Sequence, residues 1–181
     1  NIFEEIDRNQ YEVYGIEISS SGHKVWDENK NNIRFDKDQM SVFKNDKFIQ
    51  LDLILNLVHG NPGEDGTLAL QWENLGIPYS SSAPGPSSLT FHKAWTNGVV
   101  SRMGAVVPKA LLTTVDSHIP TLKAKLRDFK FPIFVKPSRA GSSFGITKIN
   151  SLDDLDCSIL IASKEDNSII IEEGISGIEL A

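Results

Sequence analysis

One candidate site combines a lysine with a glycine-serine turn in the segment FPIFVKPSRAGSSFGITKI, residues 131–149. Its apolar start predicts a buried strand, Lys136 ends the apolar run, and the small residues at 140–143 predict a turn before a second strand. Backbone N–H groups in such a turn bind anions, serine hydroxyls add donors, and a lysine supplies a point charge that suits phosphate. This pattern predicts a phosphate site, although no Walker A loop is present. A plain hairpin with a surface lysine is the alternative.

A second candidate site is the loop HGNPGEDG at residues 59–66, which follows a dense apolar run. Open α/β sheets bind ligands beyond the carboxyl ends of their strands, and the N-terminus of a following helix attracts anions. His59 supplies an imidazole at this point. The alternative is a simple helix start in which Glu64 and Asp65 complement the helix dipole. A zinc site is a weaker hypothesis, because no second His or Cys lies at ligand spacing.

A third candidate is the segment IIIEEGISGIEL at residues 169–180. Its apolar start predicts a strand that ends in Glu172, Glu173 and a glycine. Backbone groups and a carboxylate at this point could contact the edge of an adenine, and Glu179 could reach a ribose hydroxyl. An edge strand with solvated acids is the alternative.

The first half of the chain is predicted to be an open α/β layer that positions the 59–66 loop. The apolar run at 51–60 is typical of a strand buried on both faces of a parallel sheet. Gly76 is the expected stop of the helix that follows the loop. Residues 81–88, SSAPGPSS, are the strongest linker candidate. The predicted elements are a strand at 11–19, a strand at 51–60, a helix at 63–76 and a strand at 77–80.

The second half is predicted to be α+β, with an antiparallel hairpin that carries the lysine and the glycine-serine turn. Ser151 is the expected N-cap of one helix, with Asp154 as an acidic variant of the capping box. Cys157 lies on that helix beside apolar residues and is expected in the core, whereas His23, His92 and His118 are expected at the surface. The predicted elements are a helix at 89–103, a strand at 108–114, a helix at 120–129, the hairpin at 131–149, a helix at 151–163 and a strand from 168.

The composition of the chain argues against several classes of function. The 181 residues fit one large domain or two small ones, and 40% are hydrophobic. The formal net charge of −6 leaves no overall basic footprint, which argues against nucleic acid as the main partner. No apolar run approaches the ~20 residues that span a bilayer, so no membrane partner is expected. The single cysteine excludes an internal disulfide and suits a reducing compartment, so the cytoplasm is the expected location.

Five stretches, in this order, resemble D-alanine–D-alanine ligase of the ATP-grasp superfamily: HGNPGEDG, LGIPYSSS, SLTFHK, FPIFVKPSRAGSSFGITKI and IIIEEGISGIEL. The pairing of H-G-x-x-G-E-D-G with V-K-P-x-x-x-G-S-S-x-G is highly specific, and the resemblance runs from about Tyr11 to Ala181. It implies an α/β fold in which residues 1–88 form a pre-ATP-grasp, Rossmann-like domain on the substrate side. Residues 89–181 would form the α+β central subdomain of an incomplete ATP-grasp fold.

The resemblance implies an ATP-dependent ligase that joins two D-alanines through an acyl phosphate, for peptidoglycan precursor synthesis, with Mg²⁺ and as a homodimer. The lysines would contact the ATP phosphates, the serines would close over them, residues 172–175 would line the adenine, and Glu179 would hold the ribose. The residues implied for ATP are Lys93, Lys136, Ser142, Ser143, Glu172, Glu173, Ile175 and Glu179. Those implied for catalysis are Ser142 in the closing loop, His59 in the first D-alanine subsite, and Glu64 in its support.

The chain departs from the family pattern in three places that bear on this implication. His92 stands where the family has an acidic or amide residue, and Ala69 and Leu70 replace its usual residues after GEDG. The family's catalytic glutamate is expected before Asn1, and its magnesium ligands and an oxyanion-stabilising arginine after Ala181. We therefore expect a fragment that is inactive alone. The alternatives are a D-alanine–D-lactate type ligase, a nucleotide-binding module without catalysis, and an interaction domain that kept only the fold.

Overall fold

The computed structural model describes residues 2–19 and 21–178. The chain divides into two compact units, Asn1–Val58 with Ala69–Ser81 and His59–Leu68 with Ser82–Ala181. The mixture of helices and strands confirms the predicted α/β class. Within the described residues all three sheets are antiparallel, and parallel pairing is limited to one isolated bridge between Ile54 and Tyr79. The division into two domains at residue 88 stays a prediction.

The first unit contains a short helix and two small antiparallel sheets. Helix α1 is Ile2–Glu5, and β1 Gly15–Ser19 pairs with β2 Gly22–Trp26. The second sheet has the order β3 Phe35–Asp36, β4 Ser41–Lys44 and β5 Lys47–Gln50. Asn45 and Asp46 join β4 to β5 with φ values of 52° and 60°, as a two-residue hairpin turn requires. This turn explains why a polar stretch without a strand prediction forms a hairpin.

The prediction of a strand buried on both faces at 51–60 is wrong. Leu53, Leu55 and Leu57 are 59%, 48% and 55% exposed, and only Ile54 among these four apolar residues is buried. Ile54 donates its N–H to Pro78 O and accepts from Ser80 N, so the segment pairs along one edge. The apolar density of this run indicates strand pairing, but the face that carries the three leucines is not covered by another layer within the described residues.

Helix α2, Thr67–Asn74, follows the 59–66 loop as predicted. Gly76 has a φ of +69° and donates its N–H to Glu73 O, which confirms it as the residue after the helix end. Gly66, with a φ of +89°, precedes the helix in a position where a Cβ atom would lie 2.5 Å from Pro84 O. The loop that starts α2 therefore packs against the start of the next helix, and a side chain at 66 would not fit.

The linker predicted at 81–88 is instead mostly helical. Helix α3 is Pro84–Phe91, and helix α4 is Lys93–Arg102. Pro84 occupies the first helical position, where the missing N–H costs nothing and the fixed φ suits a helix. Proline and serine in this segment thus mark a helix start. The predicted single helix at 89–103 is two helices that meet at His92.

A four-stranded antiparallel sheet of order β6-β9-β7-β8 organises the second unit. Its strands, close to the predicted ones, are β6 Ala110–Thr114, β7 Ile133–Pro137, β8 Thr147–Ile149 and β9 Ser168–Glu173. The helices are α5 Ile119–Lys125 and α6 Leu155–Ala162, with a 3₁₀ turn at Leu152–Asp154. The Ser151 side chain accepts from Asp153 N, which confirms Ser151 as a cap, here of the 3₁₀ turn that leads into α6.

The main core lies between one face of this sheet and helices α5 and α6. Alternate residues of each strand point into it, as the period of two requires. The β7 residues Ile133 and Val135 and the β9 residues Ile169 and Ile171 are each 0% exposed. The remaining members of the cluster are Leu122, Leu126, Phe129, Ile149, Leu155, Ile159 and Ala162.

Two side chains lie in environments opposite to those predicted. Cys157 is exposed, because the buried residues of α6 are Leu155, Ser158, Ile159 and Ala162, and position 157 lies off that face. His92, expected at the surface, is only 6% exposed. Across the described ranges, no helix combines the length and hydropathy needed to cross a bilayer.

Candidate functional site

Lys136 and Glu172 form an ion pair on the sheet face opposite the main core. Lys136 lies in β7 between the inward-facing Val135 and Pro137, so strand alternation turns its side chain away from the core helices. The Lys136 Nζ donates to Glu172 Oε2 at 2.5 Å. The side chains are 23% and 7% exposed, so the pair is largely shielded from water. This arrangement explains why a cation sits within a strand whose alternate residues are fully buried.

A second lysine approaches the same place from helix α4. Lys93 is the first residue of α4, and its Nζ donates to Ala140 O at 2.6 Å. Its pKa is lowered by burial and by the like charge of Lys136, against the opposing effect of Glu172. Two cations from separate elements therefore converge on one place. Like charges are held close at a cost in free energy, which an anionic ligand would relieve.

An open cavity of about 280 Å³ lies between the two lysines. Its floor is polar and carries both signs of charge, which suits a ligand with an anionic and a hydrogen-bonding part. Its lining residues are Thr90, Lys93, Thr96, Asn97, Pro108, Lys136 and Glu172. The structure thus brings together three of the predicted site residues, one from each of three sequence segments.

Asn97 is a site residue that the sequence analysis missed. It lies four residues after Lys93 on α4, so the two share one helix face. Its Nδ2 donates to Glu172 Oε1 at 3.1 Å, while Lys136 occupies the other carboxylate oxygen. The Glu172 carboxylate is thereby fixed in orientation by two donors. The i, i+4 spacing from Lys93 is the signal that could have identified Asn97.

The glycine-serine turn has backbone geometry that is uncommon for side-chain residues. Ser142 and Ser143 have φ values of 49° and 59°, in the left-handed region. Both residues are exposed, which leaves their hydroxyl groups accessible to a ligand. The Phe144 N–H donates to Gly141 O at 3.3 Å, which closes the turn over these two serines.

The start of this turn is anchored by an ion pair that was not predicted. Arg139 donates to Asp166 through its backbone N, Nε and Nη2, at 2.9, 3.1 and 2.8 Å. The Asp166 side chain is 5% exposed. Burial opposes the charged form of Asp166, but hydrogen bonds from Arg139 and from Ser168 N outweigh it and lower the pKa. These residues are 27 positions apart, so no local pattern could reveal the contact.

His59 and Glu64 lie together in the 59–66 loop. The His59 Nδ1 is 3.7 Å from Glu64 Oε1, and Glu64 Oε2 accepts from Gly60 N at 2.8 Å. The loop also lies beside the glycine-serine turn, since a Cβ atom on Gly141 would be 3.5 Å from Glu64 Oε2. The His59 side chain is 91% exposed. The structure therefore places the two residues together near the turn, with the imidazole free to meet a ligand.

The residues predicted around an adenine lie at the end of β9, Glu172 and Glu173, and just after it, Ile175. The Glu173 carboxylate accepts from Lys130 N, and its backbone N donates to Lys109 O, so its side chain is engaged away from the cavity. Ile175 is exposed, as a residue that would cover a ring should be before the ring binds. Glu179, predicted to hold a ribose, lies outside the described residues.

The described part of the chain contains no group of three or more His, Cys, Asp or Glu residues placed to hold a metal ion. The Asp and Glu side chains of the site are instead paired with lysine, arginine or backbone donors. These residues do not fit a magnesium site by themselves.

Comparison with known proteins identifies the family. The family model described as D-ala D-ala ligase C-terminus matches residues 104–181. The D-alanine–D-alanine ligase of Flavobacterium johnsoniae is 34% identical over 180 residues, which cover 99% of this chain and 55% of that protein. This chain belongs to the D-alanine–D-alanine ligase family. It spans about half the length of the curated ligases it matches.

Two further matches are proteins of Enterococcus species. The VanG D-Ala:D-Ser ligase from Enterococcus faecalis superposes with a TM-score of 0.81 at 30% identity, covering 97% of this chain and 57% of that one. The vancomycin/teicoplanin A-type resistance protein VanA of Enterococcus faecium is 35% identical over 130 residues, which are 72% of this chain and 36% of VanA. These matches confirm the ATP-grasp ligase fold predicted from the motifs.

Proposed function

We propose that this chain binds the ATP and the first D-alanine of a ligase that joins two D-alanines. The observation that carries the proposal is the convergence of Lys93 and Lys136 on one cavity, with Lys93 Nζ bonded to Ala140 O just before the Ser142–Ser143 turn. Converging cations suit a polyphosphate, and the exposed serine hydroxyls can add donors. The relatives named D-alanine–D-alanine ligase, matched over nearly the whole chain, support this ligand rather than another phosphate compound.

In the proposed reaction, a carboxylate oxygen of the first D-alanine attacks the γ-phosphorus of ATP, and ADP leaves. The amine of the second D-alanine then attacks the acyl phosphate carbon. Inorganic phosphate departs with the bonding electrons, and the amine loses a proton. Positioning and charge neutralisation account for most of the catalysis of such a phosphoryl transfer. Lys93 and Lys136 would neutralise the phosphate oxygens, and Ser142 would donate to them from the turn.

Each remaining predicted residue has a role under this proposal. His59, held beside Glu64, would contact the first D-alanine close to the turn. Glu172, oriented by Asn97 and Lys136, would present a carboxylate to the adenine edge. Glu173 and Ile175 would line the ring through backbone atoms, and Glu179 would hold the ribose. Ser143 would join Ser142 over the phosphates.

Magnesium would neutralise further phosphate charge when bound, with ligands from outside these residues. The wider role that we propose is peptidoglycan precursor synthesis in the cytoplasm by a homodimer. It rests on family membership rather than on contacts in this chain.

The second substrate has two specific alternatives. VanG, which matches this chain in structure, is a D-Ala:D-Ser ligase and so uses a different second substrate. A D-alanine–D-lactate type ligase is the other alternative that the sequence motifs allow. A third possibility is a nucleotide-binding chain without catalysis.

The proposal is tested by phosphate release from MgATP by the complete protein that carries this chain. We expect release that depends on D-alanine. Addition of D-serine or D-lactate to a limiting amount of D-alanine, with product analysis, assigns the second substrate. Release that does not respond to D-alanine would contradict the ligase, and ADP binding without release would favour the nucleotide-binding alternative.

A further inference from the structure

His92 occupies the junction of helices α3 and α4, directly before Lys93. It is the N-cap of α4, and its ring is stacked on Trp95 with centroids 4.2 Å apart and planes 5° apart. The His92 side chain is buried although it is polar. Buried polar groups are retained when their hydrogen bonds are made, so the partners of this ring define what it does.

The hydrogen bonds of His92 determine its tautomer. The Trp95 backbone N–H, which can only donate, points at Nδ1 at 3.4 Å. The Ser138 Oγ lies 3.0 Å from the same nitrogen. Because Nδ1 accepts from a backbone amide, it carries no proton, and the Ser138 hydroxyl must donate to it. The ring is therefore neutral, with its N–H on Nε2.

Ser138 connects His92 to the glycine-serine turn. It is 0% exposed, its N donates to Ser168 O at 2.7 Å, and its O accepts from Lys93 N at 2.9 Å. Two residues further on, Ala140 O accepts from Lys93 Nζ. The neighbouring residues His92 and Lys93 thus hold the first part of the turn through three hydrogen bonds. Two of these bonds use backbone atoms, and the third depends on the histidine ring.

We propose that His92 is a positioning residue whose neutral ring, by accepting from Ser138, sets the Lys93 ammonium group against the glycine-serine turn. Protonation of Nδ1 would remove the acceptor for both Trp95 N–H and Ser138 O–H. We call these three hydrogen bonds the clamp, and protonation would break the one among them that depends on the histidine ring. The effect of His92 on nucleotide binding rests on the function proposed above, whereas its positioning of Lys93 does not.

The charges around His92 favour the neutral ring. Lys93 faces it from α4, Arg139 from the segment after β7, and Asp166 from the loop before β9. Burial lowers the pKa of His92, followed by the charge of Arg139, and Asp166 only partly opposes them. The neutral ring is accordingly present at neutral pH, and the clamp is lost as pH falls through the lowered pKa. The expected transition lies below the ordinary value of 6.5.

Two substitutions distinguish the role of Nδ1 from that of Nε2. An asparagine at 92 places its carboxamide oxygen near the position of Nδ1, whereas glutamine places it near Nε2, and both remove the stacking on Trp95 equally. We expect His92→Asn to keep the clamp and His92→Gln to lose it. His118→Asn is the matched control, because His118 is also a helix N-cap but its side chain is exposed and bonds only to Thr121.

The test is nuclear magnetic resonance of the intact protein without nucleotide. Long-range ¹H–¹⁵N spectra at pH 7.5 should show His92 as the Nε2–H tautomer. The exchange rate of the Lys93 amide should rise at least about tenfold in His92→Gln and stay within about threefold of wild type in His92→Asn and His118→Asn. The Lys93 amide shift should titrate in acid in the wild type and not in His92→Asn.

Two results would overturn the proposal: a protonated Nδ1 at pH 7.5, or equal Lys93 amide exchange in the asparagine and glutamine variants. ADP titration of the same samples adds the functional consequence, with affinity reduced about tenfold in His92→Gln and retained in His92→Asn. Since the first two measurements contain no nucleotide, failure of ADP to bind any of these proteins would count against the proposed function and leave the positioning role intact.

Discussion

Two side-chain pairs of the second unit, each with a glutamate carboxylate, differ in how far the fold fixes them. Lys136 and Glu172 lie 2.5 Å apart with side-chain exposures of 23% and 7%, whereas His59 and Glu64 lie 3.7 Å apart with exposures of 91% and 47%. The first pair is positioned by paired strands and by Asn97, and the second by a loop. A buried pair is preorganised and costly to break, while an exposed pair contributes little until a ligand joins it.

This difference has a functional meaning under the proposed ligase. Phosphate charge is the same in every catalytic cycle, and a rigid cation can be placed for it in advance. The amino-acid side of the site must admit and release small substrates, so an accessible imidazole on a loop suits that side. The following experiments test the contrast, starting with the largest expected effect.

Lys136→Ala in the complete protein should lower kcat/KM for ATP at least ~100-fold, or about 2.7 kcal/mol of transition-state stabilisation, because phosphate charge loses its neutralising partner. Steady-state kinetics measure this. Lys125→Ala is the control, since Lys125 is an exposed residue of α5 and its loss changes the net charge equally. A change of less than about threefold in Lys136→Ala would remove the role assigned to it.

Loss of Lys136 also leaves Glu172 buried without its cation, so stability has to be separated from function. The double variant Lys136→Met with Glu172→Gln replaces the pair by neutral groups of similar volume. It should unfold within about 1 kcal/mol of wild type, because such replacement of a buried pair is often neutral. Its activity should remain as low as that of Lys136→Ala. Recovery of activity in the double variant would mean that the single substitution acted through misfolding.

Asp166→Asn tests a pair of intermediate burial, since Asp166 is buried and Arg139 is half exposed. Loss of its charged hydrogen bonds should reduce the free energy of unfolding by about 1.5–3 kcal/mol at pH 7. Because hydrogen bonding lowers the pKa of Asp166 below 3.8 in the fold, its stabilising contribution is present above that value and lost as pH falls through the lowered pKa. Denaturant unfolding from pH 2 to 7 should therefore show that acid reduces the free energy of unfolding less in the variant than in wild type. Equal pH profiles would contradict the anchoring role.

His59→Ala should have the smallest effect on stability, below about 1 kcal/mol, because the pair with Glu64 is solvent-exposed. Its effect should appear instead in the KM for D-alanine, raised about tenfold by loss of a charged hydrogen bond, with the KM for ATP nearly unchanged. Kinetics with each substrate varied in turn measure the two constants. His118→Ala, an exposed histidine of α5's N-cap, is the control. An equal rise in both KM values would place His59 outside the amino-acid subsite.

The sequence was sufficient to predict the framework around Lys136, because the relevant patterns are local. Continuous apolar runs predicted β7 and β9, small residues predicted the turn between β7 and β8, and Ser151 predicted the helix start that follows. The family motifs then assigned Lys93 and Lys136 to one ligand, and the structure brings these two lysines to one cavity. Whether that cavity holds ATP remains a prediction.

The predictions for the 51–60 run and for His92 were wrong because they depended on partners distant in sequence, whereas that for 81–88 was wrong because proline and serine are typical of both loops and helix starts. The exposed leucines at 53, 55 and 57 have the composition of a doubly buried strand but pair along one edge. Residues 81–88 have loop composition, yet Pro84 at a first helical position begins α3. His92, Ser138 and Asp166 became functional candidates only when β7 and β9 brought their segments together.

The most direct test of the central claim is calorimetric titration of the intact protein with ADP and magnesium. The account predicts binding by the wild type, unchanged binding by Lys125→Ala, and affinity reduced at least about tenfold, or ~1.4 kcal/mol, in the Lys136→Met/Glu172→Gln variant that retains its stability. Equal ADP affinity in all three proteins would contradict the assignment of the Lys93–Lys136 cavity to the nucleotide phosphates.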